Sequence, residues 1–147
     1  MKKQYLSVGV VLVIFFCAML TNISTAFATN EPETVLVKIN SSEGGDKLIP
    51  SPETVNVNKN AIVVWMNAVS MREVKLIFED GKTCQDVVLN PNMRIAGFFL
   101  DSKGCYSTSF MDYASTTSLQ FPQSGTFEYK LLSEDGKMSG MGKVVVK

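Results

Sequence analysis

The chain contains no histidine. That absence removes Ser–His and Cys–His nucleophile pairs, the imidazole acid or base, and the commonest metal ligand. The sequence also has no Cys-x-x-C pair, no basic block and no Gly-rich loop leading to a lysine. These gaps speak against thioredoxin-like redox chemistry, nucleic-acid binding and phosphate cradling. No apolar run reaches the ~20 residues that a membrane-spanning helix needs. Past residue 28 no stretch carries a long, capped period-3.6 pattern, although a short helix over 109–115 is one reading of that span. Carboxylates are plentiful, yet nothing in their spacing sets two of them together for acid–base work. No enzymatic role is expected.

What is present begins with a leader. Lys2 and Lys3 form a basic start, Val8 to Leu20 is apolar and uncharged, and Ala26-Phe27-Ala28 is a small-residue cleavage signal. Residues 1–28 are expected to be a secretory signal peptide, and residues 29–147 one exported domain, periplasmic or extracellular. An uncleaved anchor is the alternative. Lipidation at Cys17 is poorly served by the bulky Ile14-Phe15-Phe16 before it. Loss of Lys2 and Lys3 tips an even balance of 14 basic and 14 acidic residues slightly acidic. No membrane span is expected to remain after cleavage.

Cys84 and Cys105 stay in the exported part. An even pair in an oxidising compartment reads as one structural disulfide. It would close a loop of about 22 residues, worth ~3 kcal/mol in chain-entropy terms. A pair of soft metal ligands or a redox pair is the alternative reading.

Strand patterns fill the rest. Thr34 to Asn40 alternates, with Val35, Val37 and Ile39 on one face. A polar loop follows, including Gly44-Gly45, and Pro50 and Pro52 frame a short strand over 54–57. Ala61 to Asn67 is an apolar strand around the single tryptophan, Trp65. Val74, Leu76 and Phe78 mark the next face. Phe98 to Leu100, Tyr106 to Phe110, Ser118 to Phe121, Thr126 to Leu132 and Gly142 to Lys147 complete the set. About eight short strands punctuated by turns indicate an all-β Greek-key sandwich. The expected core is Val63, Trp65, Phe78, Phe121, Phe127, Tyr129, Leu131 and Val144.

Glu-Asp-Gly-Lys occurs twice, at 79–82 and 134–137. Each Asp-Gly reads as the centre of a type I′ hairpin, where both residues take positive φ. An acidic cation site is the alternative, though Ca²⁺ needs about six oxygen ligands. With Asp135-Gly136 at the tip, Glu128 faces Lys143 and Phe127 faces Val144. Charge meets charge and apolar meets apolar, and a one-residue slip would break both matches.

Three segments together resemble one family. Pro52 to Asn67 ends in Trp65-Met66-Asn67. Phe121-Pro-Gln-Ser-Gly-Thr-Phe-Glu-Tyr129 precedes the hairpin. Met138-Ser-Gly-Met-Gly-Lys-Val-Val-Val146 closes the chain. These are similar to the cupredoxins, whose fold is a β-sandwich and whose copper is held by two imidazoles, a thiolate and a weak axial thioether. The resemblance puts one imidazole position at Arg72 or Glu73, the thiolate at Leu131, the second imidazole at about Glu134 and the thioether at Met138. Met138 alone keeps a ligand type. The resemblance therefore implies the scaffold without its blue-copper site. The Cu(I) candidates are the thioethers of Met71, Met138 and Met141, although the hairpin register sends Met138 and Met141 to opposite faces. Methionine as flexible core filler is the competing reading.

The expectation is a non-catalytic exported module without a cofactor. Its partner would be another envelope or extracellular protein. The weakly patterned span 84–118 is where a partner surface is expected, with Phe98, Phe99, Tyr106, Phe110 and Tyr113 as its aromatics. Phe98 and Phe99 have core filling as their competing role. Copper carriage through methionine, or electron transfer, is the alternative function.

Overall fold

Alternation at period two builds almost every element. The structure is a computed structural model and describes residues 31–78 and 95–147. The leader, Cys17, Cys84, Met93 and the Glu79 to Lys82 turn lie outside the described residues. Pro32–Lys147 groups as one compact unit. The strands are β1 (Thr34–Ser41), β2 (Leu48–Ser51), β3 (Thr54–Val57), β4 (Ala61–Asn67), β5 (Val74–Ile77), β6 (Ile95–Ala96), β7 (Phe98–Leu100), β8 (Tyr106–Thr108), β9 (Thr116–Phe121), β10 (Gly125–Ser133) and β11 (Ser139–Val146). Two more appear than the main patterns foretold, β2 and β6. Both are short edge strands. No helix occurs at 109–115, where Met111 instead bridges Val74 and a turn follows.

The strands form two sheets, ordered β2-β1-β4-β9-β6 and β3-β11-β10-β5-β8-β7. The chain passes repeatedly from one sheet to the other, the crossing expected of a Greek-key sandwich. β1 runs parallel to β4, and β3 parallel to β11. The remaining pairs are antiparallel. The fold class is the all-β sandwich read from the sequence.

Inward-facing residues of both sheets make a continuous core that includes all eight expected members. Trp65 stands at its centre. Its ring meets Phe78, Phe98, Phe121 and Tyr129 edge-on, with centroids 5.5 to 6.4 Å apart. Each such pair adds about 0.5–1.5 kcal/mol beyond simple burial. Phe98 lies partly buried against this cluster, so its core-filling role holds. Phe99 points the other way and is exposed, because β-strand neighbours face opposite sides.

The β10–β11 register matches the charge and packing prediction, with Glu128 opposite Lys143 and Phe127 opposite Val144. The turn itself differs. The Gly136 N–H donates to the Ser133 carbonyl, and Gly136 alone of the central pair has positive φ, +68°. The tip is thus a Ser133–Gly136 turn with a left-handed glycine at its end, not a type I′ pair. Ser133 and Met138 close it through the Ser133 N–H to the Met138 carbonyl at 3.0 Å. Both loop forms give the same strand register, so the pattern could not tell them apart.

Two glycines in β11 mark close approaches. At Gly142 a Cβ would collide with the Tyr129 ring and hydroxyl. At Gly140 it would fall 1.9 Å from the Leu48 carbonyl oxygen, where β2 of one sheet meets β11 of the other. Backbone cannot rotate away as a side chain can. Gly140→Ala is expected to destabilise by about 1–3 kcal/mol through overpacking. Urea unfolding should show a lower midpoint with an unchanged slope.

Candidate functional site

β4 carries Asn67 two residues beyond Trp65, on the same inward face, at the end of the sandwich where the loops gather. Asn67 is fully buried and hydrogen-bonded on both sides of its amide. Its Nδ2 donates to the Arg72 and Met111 carbonyls, each at 2.8 Å, and its Oδ1 accepts the Val69 N–H at 2.9 Å. Its backbone also accepts from Ala114 and donates to Ser115. One side chain thus ties the 68–73 loop to the 109–115 loop.

The hairpin joins them. The Arg72 guanidinium pairs with the Asp135 carboxylate at 2.5 Å. The Glu134 N–H donates to the Glu73 carbonyl at 3.2 Å. Met71, Arg72, Glu73, Ser133, Glu134 and Asp135 line a shallow cavity of about 220 Å³. Asp135 accepts from the Ser133 hydroxyl at 2.7 Å and the Lys137 N–H at 3.1 Å. The Ser133 hydroxyl, then the Lys137 N–H and the Arg72 guanidinium, hold its carboxyl down at about 2. Glu73 moves the other way. The Glu134 charge raises it, with burial and Asp112 adding to the effect.

The positions that resemble copper ligands do not fit that metal. Leu131 is completely buried and offers carbon where a thiolate would be needed. Arg72, Glu73 and Glu134 are hard charged groups engaged with each other, with Asp135 or with backbone. Met138 is 1% exposed and packs in the core. Met71 is 98% exposed in the loop, and Met141 is 63% exposed on the opposite face, against a different cavity beside Gly142. Met71 and Met141 line different cavities, and Met138 is buried where Met141 is exposed, as residues on opposite faces of the hairpin must be. Among the described residues no group of three Cys, Asp or Glu is arranged to hold a metal ion.

The expected partner span divides into inside and outside. Tyr106 is buried and Phe98 is half-buried. Phe99, Phe110 and Tyr113 are exposed, as is Leu100, which the sequence reading did not single out. Phe110 lies over Lys75, whose ammonium is 6.0 Å from the ring centroid. Cys105 is buried, and its expected partner Cys84 lies outside the described residues. Asn67 was legible as part of the Trp-x-Asn pattern but not as a hub. Its role depends on which loops return to it, and that is set by tertiary topology. In the core, Trp65 Nε1 and Tyr129 Oη lack a hydrogen bond of good geometry among the described residues. Burial pushes the Tyr129 phenol up to about 12, an effect partly offset by the neighbouring Trp65.

No family model matches the chain, and no curated protein matches it. Solved structures of amicyanin are similar in fold. A copper(I) amicyanin with a methionine-to-glutamine substitution is 19% identical, over 78% of this chain and 82% of that one, with a TM-score of 0.46. A reduced amicyanin with a tryptophan-to-tyrosine substitution is 18% identical, over 82% and 88%, with a TM-score of 0.47.

Two outcomes follow from this loop end. Asn67→Ala would leave two carbonyls and an N–H unpaired in the interior, and is expected to cost about 3 kcal/mol in chemical denaturation. The acid response has opposite signs at the two carboxyls. Asp135, lowered in the fold, favours folding above its unfolded value near pH 4 and loses that contribution as pH falls through about 2. The stability gap between wild type and Asp135→Asn should therefore be full at pH 5 and closed below pH 2. Glu73, raised in the fold, costs stability when ionised. Glu73→Gln should raise the thermal midpoint at pH 7 and leave it unchanged in acid.

Proposed function

We propose that this chain is an exported, non-catalytic binding module on a cupredoxin-like scaffold whose copper position has been converted to a closed protein contact. The observation that carries the reading is the loop end held by Asn67 and by the Arg72–Asp135 pair. Hydrogen bonds and packing there join the elements that copper joins in the resembled family. The absence of histidine anywhere in the chain supports the same reading. The leader supports export, and no helix among the described residues is long and apolar enough to cross a membrane.

Function then falls to surfaces. The exposed aromatics Phe110 and Tyr113 beside the loop end are the proposed contact with another envelope or extracellular protein. Aromatic side chains carry much of the energy of protein interfaces. The Cys84–Cys105 disulfide is proposed as a structural staple for the intervening span.

Copper titration of the purified protein tests the central claim. No intense visible band and no stoichiometric tight Cu(I) binding are expected. Tight Cu(I) binding abolished by Met138→Leu would replace this reading with the copper-carrier alternative. Mass spectrometry of the exported protein should find the leader removed and no free thiol under denaturation. Two free thiols would remove the staple. A photo-crosslinker at Tyr113 should capture a defined envelope protein that one at Glu128 does not.

A further inference from the structure

Among the described residues β7 is an edge strand of its sheet. It pairs with β8 on one side, Phe98 opposite Thr108, Phe99 opposite Ser107 and Leu100 opposite Tyr106. The Asp101 N–H donates to the Cys105 carbonyl at 2.8 Å, which fixes the phase of this antiparallel ladder. Bonded and non-bonded pairs alternate. Phe99 therefore bonds to β8, while the N–H and C=O groups of Phe98 and Leu100 point out of the sheet. The Phe78 N–H donating to the Tyr106 carbonyl confirms that phase from the other side of β8. Among the described residues, no strand pairs with the outer edge of β7.

Edges of natural sheets are commonly blunted by proline, lysine or a bulge. β2, one edge of the other sheet, carries Pro50, whereas β3 and β6, the remaining edges, carry neither proline nor charge. β7 carries no proline and no charge. It shows Phe99 at 46% and Leu100 at 45% exposure instead.

We infer that β7 is a pairing edge for a second copy of this chain, joined antiparallel about a two-fold axis through Phe99. The phase of the ladder makes this arrangement self-complementary. Phe98 of one copy falls opposite Leu100 of the other. Both residues have outward-pointing backbone groups, so each such pair exchanges both N–H···O bonds. Phe99 falls opposite its own symmetry mate at a non-bonded position, where side chains approach most closely. Ring meets ring on the outer face, and Leu100 covers the partly buried Phe98 of the other copy. The pairing is isologous and closes at two copies. No charged side chain lies within the paired segment, so no like charges are opposed. Three residues per copy bury far less than the roughly 1,200 Å² of a stable specific interface. The pair is accordingly transient and concentration-dependent. This inference does not rest on the copper position and stands if that reading fails.

Sedimentation velocity over a wide concentration range, with hydrogen exchange read at the Phe98 and Leu100 amides, tests it on the purified protein. A reversible dimer is expected, with those two amides protected only as it forms. Phe99→Lys sets two ammonium groups opposite each other and should raise the dissociation constant at least ~10-fold. Leu100→Pro deletes one outward donor and should weaken it as well. Tyr113→Ser, away from the edge, should leave it unchanged. A monomer at every concentration with both amides open overturns the inference. So does protection at every concentration, which would mean that the edge is already paired. A dimer indifferent to Phe99→Lys would place the interface elsewhere, and a heterologous protein captured at β7 without self-association would replace the second copy.

Discussion

The edge-on packing of Trp65 against four other aromatic rings is the contact on which the sandwich depends. Those rings come from both sheets. Phe121 belongs to β9, beside β4 in the same sheet, whereas Phe98 and Tyr129 come from β7 and β10 across the core, and Phe78 follows β5. Edge-on geometry sets the separation of the sheets as well as adding attraction. It also makes demands elsewhere. Tyr129 can reach Trp65 because Gly142, opposite it in the hairpin, has no side chain in the way. A buried tryptophan thus dictates a glycine on a strand that it does not pair with.

The same strand carries the polar organisation of the loop end. Strand period places residue 67 on the face of residue 65. An apolar side chain there would bury against carbonyls of two loops and leave them unpaired. Asparagine offers two donors and an acceptor with two lone pairs. Here both donors go to loop carbonyls and the oxygen accepts an N–H. The Arg72–Asp135 pair lies outside this buried hub and is half-exposed, so by itself it contributes little. Its effect is to orient the hairpin over loops that Asn67 already holds.

The sequence was readable where one face of an element is buried and the other is wet. β3 and β4 run as the pattern drew them, and Phe127, Tyr129, Leu131 and Val144 face inward as the hairpin register required. It failed where two local solutions share one pattern. Asp135-Gly136 served a type I′ turn and the observed turn equally well, because both keep Glu128 against Lys143. Phe98 and Phe99 looked alike as core fillers, although adjacent strand residues cannot both point inward. Gly140 gave no signal at all. Its need arises from the Leu48 carbonyl, which comes from a distant edge strand and approaches only after both sheets have formed. Of the candidate site, the residue types at Arg72, Glu73, Leu131 and Glu134 were legible in the sequence. The hub was not, since hydrogen-bond partners at sequence distance have no pattern to read.

One feature of the loop end is poorly suited to stability alone. Glu73 feels the charges of Glu134 and Asp112 together, and like charges so placed disfavour the ionised fold. The Arg72 guanidinium is committed to Asp135. Beside these carboxyls Met71 stands nearly fully exposed, which gives this end an acidic field around an apolar tip. Such fields act mainly on encounter and discrimination between partners and contribute little to the fold itself. The repulsion at Glu73 is therefore a cost to the fold that the Arg72–Asp135 pair leaves in place.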